Sequence, residues 1–403
     1  MFKRLAFGLL EAYRNMRLAW WKITGKTEDD HHAARVTSGA AWNEFCDTLK
    51  AAGAALVHGD APRDAYSQAE GYRYLTRLTR AGLEAFVEYS DPAFPVLRRM
   101  VHETVKMGAD NPDNYYQNAQ ITGDYEYRIT GHRGTVHRLG FYTQNGNYGS
   151  TGGLAPCGAL DASDMALNPD GTFEIILSKE KRGQNWLKIA EDTSLLMVRQ
   201  TFGNRDKEQI ATLHVETIGG PPTPPPLTAK KIDEGLNTAS LFVAGAPMIF
   251  SRWANGFQKH SNELPLFDPA ISNAAGGDDR ITYYHSHWRL EDDQALVITV
   301  DNPPSCDLWN FQLNNYWMES LDYRHFQIHV NKHTATYGRG GSITIIVSHK
   351  DPGMPNWIRT CEHNHGTMCF RWIDADKAIK PTTEVVAFSA LSRFQNRFER
   401  YPA

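Results

Sequence analysis

Leu308-Trp309-Asn310-Phe311-Gln312-Leu313 reads as a β-strand that runs into a polar block, Asn314 to Arg324. Two further pieces of the last third repeat the arrangement. Gly341-Ser342-Ile343-Thr344-Ile345-Ile346-Val347-Ser348 leads into Asp351-Pro352-Gly353. Asn356-Trp357-Ile358 leads through Glu362-His363-Asn364-His365-Gly366 to Met368-Cys369-Phe370-Arg371-Trp372. Strand patterns set beside dense ionisable groups make this region the first place to expect a site.

Outward from it, strand patterns cover 280–290, 295–300, 327–331, 367–373 and 383–391. Earlier ones cover 115–121, 125–130, 136–143, 173–177, 194–202 and 213–218, with turn chemistry at 110–114 and 168–171. Residues 145–153 read as a long loop, and 219–226, with five prolines, as a stiff connector. Helical periodicity marks 41–56, 67–86, 96–107 and 229–246. Ser67 and Glu70 have capping-box spacing, and Gly108 suits a helix C-cap. The expected fold is α+β and β-rich: antiparallel β-sandwich or jelly-roll layers with an N-terminal helical region. The divisions are 1–26, 27–109, 110–226 and 227–403. No internal repeat is evident.

A chain of 403 residues can bury a large core. A net charge of −4 argues against a nucleic-acid partner. Ten Trp and seventeen Tyr suit cores and pockets for apolar ligands. Five scattered Cys without a C-x-x-C fit free thiols in the cytoplasm. Phe2, Leu5, Leu9, Tyr13, Met16, Trp20 and Ile23 lie on one helical face amid basic residues. That segment, 2–23, suits contact with a membrane surface or self-association into a homo-oligomer.

Several groups could carry chemistry. His363 can exchange a proton near neutral pH, with Asp322 or Glu362 to orient it. Tyr323, Tyr115 and Tyr116 offer hydroxyls, Arg324 and Arg128 could hold an anionic group, and Trp309 and Trp317 could line a pocket. His285 and His287 would share one face of a strand. With Glu291 they give the alternative of a divalent transition metal; the preferred reading has no cofactor. Dinucleotide, Walker, nucleophile-elbow and H-E-x-x-H motifs are missing.

Asp110-Asn111-Pro112-Asp113-Asn114, Tyr127 to Gly131 with Arg133-Gly134, and Phe311 through Tyr323 resemble the bacterial family called "domain of unknown function 1214". Asp351-Pro352-Gly353, Asn356-Trp357-Ile358, His363, Gly366 and Arg371-Trp372 carry the same resemblance, which spans most of 40–375. It implies a β-rich fold and little chemistry. Asp322, Tyr323, His363, Arg371 and Trp372 match the family pattern, whereas His285 and His287 depart from it. The expectation is an acid–base enzyme (lyase, isomerase, cyclase or hydrolase) acting on an apolar oxygenated small molecule such as a terpenoid, steroid or aromatic. The alternatives are a module binding glycans or envelope polymers and a metal-dependent jelly-roll enzyme.

Overall fold

The computed structural model describes residues 27–56, 61–149, 151 and 153–398; the basic segment 2–23 lies outside them. Three helices open the described chain. In α1 (Glu28–Thr37), Thr27 and Asp30 form a reciprocal capping box. Helix α2 (Ala40–Leu56) follows, then α3 (Ala65–Leu83). The cap of α3 is Asp64, whose carboxylate accepts from the Ser67 N–H, rather than Ser67 itself. Glu70 is thereby released from capping and turns into the protein.

The expected helix over 96–107 does not form. Instead Arg98 and Asn118 exchange backbone hydrogen bonds, which pins the segment along the edge of a strand. Gly108 has φ +62°, but it serves a turn. A Cβ there would sit 2.7 Å from the Phe250 ring, so only glycine lets this backbone approach so closely. Helix α4 (Ala229–Phe257) runs past its expected end at Ala246, through Pro247. Its buried face, including Phe242, Val243, Ala246 and Phe250, packs against α3 and the 105–109 backbone and offsets the bond lost at proline. A short helix, α5 (Pro269–Ala274), comes next.

Among the described residues, sixteen strands fall into two runs of eight. The first run is β1 (Asn114–Gln120), β2 (Glu126–His132), β3 (Arg138–Asn145), β4 (Ala155–Asp161), β5 (Thr172–Ser178), β6 (Trp186–Lys188), β7 (Thr193–Thr201) and β8 (Thr212–Ile218). The second is β9 (Ile281–Arg289), β10 (Gln294–Val300), β11 (Leu308–Asn314), β12 (His329–Asn331), β13 (Ile343–Ser348), β14 (Trp357–Arg359), β15 (His365–Ile373) and β16 (Thr382–Ala387). Strands β4 and β6 were not legible in the sequence.

The sheet orders are β1-β7-β3-β4 with β6-β5-β2-β8, and β9-β15-β11-β12 with β14-β13-β10-β16. Adding eight to each strand number of the first run gives the second. The chain therefore contains an internal repeat, against the sequence reading. Details repeat as well. Strands β5 and β6 pair in parallel, as do β13 and β14. Trp186 and Trp357 each donate their indole N–H at 3.2 Å to a serine carbonyl, of Ser178 and Ser348 respectively. Asn185 and Asn356 each tie two backbone carbonyls together from the preceding position. A repeat carried by pairing order and a few turn residues leaves little trace in side-chain identity.

The β12-β11-β15-β9 sheet explains the opening stretch. Side chains alternate across a strand. Trp309, Phe311, Leu313, Phe370 and Trp372 face a core shared with β10 and β13. Asn310, Gln312, Arg371 and His285 face the other way, yet they too are buried. Their face is covered by α4 and the 105–111 segment, so this sheet has water on neither side.

Candidate functional site

The covered polar face forms one wall of a cavity of about 190 Å³ at the junction of the two repeats. Its lining is mainly apolar, with Phe86, Met107, Met197, Phe242, Phe250 and Trp253. A few polar groups converge among them, as expected of a small-molecule pocket.

Each repeat supplies one tyrosine–arginine pair. Tyr116 on β1 lies directly opposite Arg199 on β7. Tyr283 on β9 lies opposite Arg371 on β15. The pairs occupy equivalent strands of the two repeats, and all four residues line the cavity. Arg199 has an acidic partner in Asp278, at 3.5 Å, and donates to the Gly276 carbonyl at 2.6 Å. Asp278 also accepts from the Tyr142 hydroxyl at 2.6 Å.

Arg371 differs. It is 4% exposed, and its hydrogen bonds go to neutral oxygens: Asn310 Oδ1 at 3.2 Å, Gln312 Oε1 at 2.6 Å and the Ala109 carbonyl at 2.5 Å. No carboxylate of the described residues makes a hydrogen bond or ion pair with it; Asp113 lies behind the Asn310 amide, and the charges of Asp113 and Asp110 act on it only from a distance. Ala109 holds a left-handed backbone, φ 58°, which costs a non-glycine residue energy and aims its carbonyl at the guanidinium.

The two tyrosines are set up alike. The Tyr116 hydroxyl accepts from the Asn111 N–H at 3.0 Å, and the Tyr283 hydroxyl from the Asp278 N–H at 3.5 Å. Neither hydroxyl proton has an acceptor among the described residues, so both remain to be donated. Burial holds both phenols above their ordinary pKa and keeps them protonated. His285 lies two residues from Tyr283 on the same face, and the rings stack at 5.5 Å. Burial, then the Arg371 charge, push its pKa down to about 3, so the imidazole is neutral. Its Nδ1 is buried without a partner, as is Asn118 Oδ1 on the facing β1 wall. Asp110, above its ordinary pKa through burial, is held by the Ser320 N–H and hydroxyl.

The expected proton-transfer residue is elsewhere. His363 lines a second, polar cavity of about 320 Å³ with Glu70, Arg77, Lys106, Glu319, Asp322 and Glu362. Its Nε2 lies 3.0 Å from Glu70, and its Nδ1 lies 3.0 and 2.9 Å from the Thr360 and Cys361 carbonyls. Three acceptors around two nitrogens make the ring a doubly protonated donor. Its pKa is raised: burial opposes the charge, and Glu70 and the two carbonyls outweigh burial. With both nitrogens engaged, the ring fastens α3 to the β14–β15 loop. The orienting carboxylate is Glu70, not Asp322 or Glu362. Asp322 is fixed to Arg324 at the surface, and that bond brings its pKa to about 2. The Glu362 side chain is 84% exposed.

Other expected residues are dispersed. Tyr323 carries the Lys106 ammonium over its ring at 4.6 Å. Tyr115 points away from the cavity and lies under Arg99. Arg128 bridges Glu174 and Glu216 across neighbouring strands. Trp309 is core, and Trp317 donates to the Ser67 carbonyl beneath α3. His285 and His287 do share a strand face, but Glu291 lies beyond the strand end and contacts Arg289. His287 binds Ser261 Oγ at 2.7 Å, and Phe257 and Phe267 flank His285. The three do not converge on one point. Among the described residues, the group whose ligand atoms do lies in the helical layer: Glu28, His32 and Glu234. There the Lys230 ammonium already sits 3.1 Å from Glu28. No helix among the described residues is long and apolar enough to cross a membrane.

Fold and site together define a class: a duplicated β-rich protein whose helical layer closes an apolar cavity over a polar strand face. The chain belongs to the family described as "Protein of unknown function (DUF1214)", whose model matches residues 116–202 and 286–377, one span in each repeat. It is 48% identical to an uncharacterised protein from Burkholderia cenocepacia of known crystal structure, with a TM-score of 0.88 over 89% of this chain and 100% of that one. The VPA0106 protein from Vibrio parahaemolyticus is 12% identical, with a TM-score of 0.45 over 79% of this chain and 98% of that one. No curated protein matches the chain.

Proposed function

We propose that the protein is an acid–base enzyme acting on an apolar, oxygen-bearing small molecule bound in the junction cavity. Each half of the frame is read as a β-sandwich, and the compartment as the cytoplasm, in keeping with five free cysteines. The observation that carries the reading is Arg371. A buried guanidinium facing an apolar space without a carboxylate partner is costly, and a ligand oxygen there offsets the cost.

In the same cavity the Tyr283 and Tyr116 hydroxyl protons are without acceptors among the described residues and available to a ligand oxygen. Such an arrangement favours charge that develops on oxygen during reaction. A proton would leave a ligand carbon for the neutral His285 imidazole. The negative charge would collect on the adjacent oxygen between Arg371, Tyr116 and Tyr283. The proton would return at the same carbon, which balances an exchange or epimerisation, or at another carbon, which balances an isomerisation. Burial is the larger cause of the depressed His285 pKa and the Arg371 charge the second; an anionic ligand counters the second and so makes the imidazole a better base.

The test is a turnover screen of the full-length protein against apolar ketones, acids and esters, followed by mass spectrometry. Products should form with wild type and fall by about a hundredfold or more with Tyr283→Phe and His285→Ala, the scale of losing an oxyanion donor or a general base. Compounds that bind and are never altered would sink the enzymatic reading.

A further inference from the structure

We infer that the ligand presents a single carboxylate, and that this group docks on Arg371 at the polar strand face of the cavity while its apolar body lies along α4. The inference rests on the junction-cavity reading and names the chemistry of what enters it.

The argument comes from the repeat. The cavity contains two equivalent tyrosine–arginine pairs, on β1/β7 and β9/β15. On the first pair the protein shows what such a guanidinium takes, since the Asp278 carboxylate sits against Arg199 and also accepts from the hydroxyl of Tyr142 on β3, a neighbour of the pair. On the second pair there is no equivalent of Asp278. Arg371 is held in place from behind by Asn310, Gln312 and Ala109, all neutral. The Tyr283 hydroxyl keeps its proton free. The second pair thus repeats the opposed tyrosine and arginine of the first and lacks the carboxylate. A planar carboxylate can take a guanidinium N–H and a tyrosine O–H together, a match that a hydroxyl or an amine cannot make. One carboxylate suffices, because Arg199 is already paired.

The rest of the lining sets the remainder of the ligand. Phe242, Phe250 and Trp253 of α4, with Met107 and Met197, offer rings and flexible thioethers to an alkyl or aryl body. A second negative charge would have to lie among these side chains or beside the neutral Asn118, Gln120 and Asn147, because Arg199 and Arg371 are the arginines of the lining, no lysine joins them, and Arg199 is paired. The class is therefore an apolar monocarboxylate rather than a dicarboxylate, a sugar or a cationic amine.

The test is calorimetric titration of the full-length protein near neutral pH with two matched sets: octanoate, octanol and octylamine, and 2-naphthylacetate with 2-(2-naphthyl)ethanol. Each acid should bind at least tenfold more tightly than its alcohol, with octylamine the weakest. Arg371→Met should cost the acids tenfold or more and leave the alcohols within twofold, and Arg371→Lys should restore part of the acid affinity. Because Arg371→Met removes three buried hydrogen bonds and could unfold the chain, the wild-type order of acid over alcohol decides the matter by itself. Equal binding of acid and alcohol, a preference for the amine, or no binding by any member of either set overturns the inference. Acid preference without turnover would leave the recognition standing and remove the enzymatic reading; turnover of neutral ligands alone would do the reverse.

Discussion

Replacing His363 with Leu separates a structural role from a catalytic one. The ring and Glu70 are each 8% exposed, and the variant leaves the carboxylate buried with only Arg73, itself 53% exposed, as a charged neighbour. Breaking a buried pair by removing one partner costs about 3–5 kcal/mol, and the residual Arg73 contact argues for the lower end, about 3 kcal/mol. If all 403 residues unfold together, the unfolding entropy is roughly 0.85 kcal/mol/K, so Tm should fall by about 3–4 °C. The difference should also depend on pH. The folded pKa of His363 is raised, so its contribution is complete below the unfolded value of about 6.5 and declines as pH rises through the folded value. Scanning calorimetry of both proteins at pH 6 and pH 9 should therefore show the larger gap at pH 6. Ligand affinity in the junction cavity should stay within twofold. An unchanged Tm together with lost turnover would refute this reasoning and return His363 to the chemistry.

Other outcomes follow from the same geometry. Gly71→Ala places a methyl 2.8 Å from the Trp317 ring and should destabilise by about 1–3 kcal/mol through overpacking, read from Tm and tryptophan fluorescence. His285 and His287 have folded pKa values of about 3 and about 4, so the unfolded chain binds more protons between those values and about 6.5, and stability falls as pH falls through that window. His285→Phe should flatten this acid limb in pH-dependent denaturation; an unchanged limb would contradict the buried neutral imidazole. Asp322→Asn breaks a half-exposed pair with Arg324 and should change stability by under about 1 kcal/mol and ligand affinity not measurably.

Most strands could be read locally because their alternation and turn residues are local. Residues 96–107 were misread because helical spacing of apolar residues cannot reveal that a strand edge will capture the backbone. The repeat was missed because it lives in pairing order. Arg371 was noticed as part of a strand block and a family pattern, Glu70 only as a helix-capping residue, and Tyr283 and Arg199 were passed over. A signal did exist: Asn310, Gln312 and Arg371 alternate with Trp309, Phe311, Phe370 and Trp372. A strand that is large and apolar on one face and polar without charge balance on the other is buried on both, and its polar face needs a partner. The His363 cluster stood out because its residues are dense in sequence, but density says nothing of whether a nitrogen is left free. Glu70, 293 residues away, settles that point.

The most direct test of the central claim is hydrogen exchange at the carbon of a bound ligand. Wild type and Tyr283→Phe would be incubated in deuterated water with a cavity-binding apolar compound that carries an acidic C–H beside its oxygen group, and the recovered compound weighed by mass spectrometry. The account predicts catalysed deuterium uptake with wild type and loss of most of it with Tyr283→Phe, at unchanged Tm. A compound that binds at the cavity and returns with no deuterium above the protein-free control would contradict it.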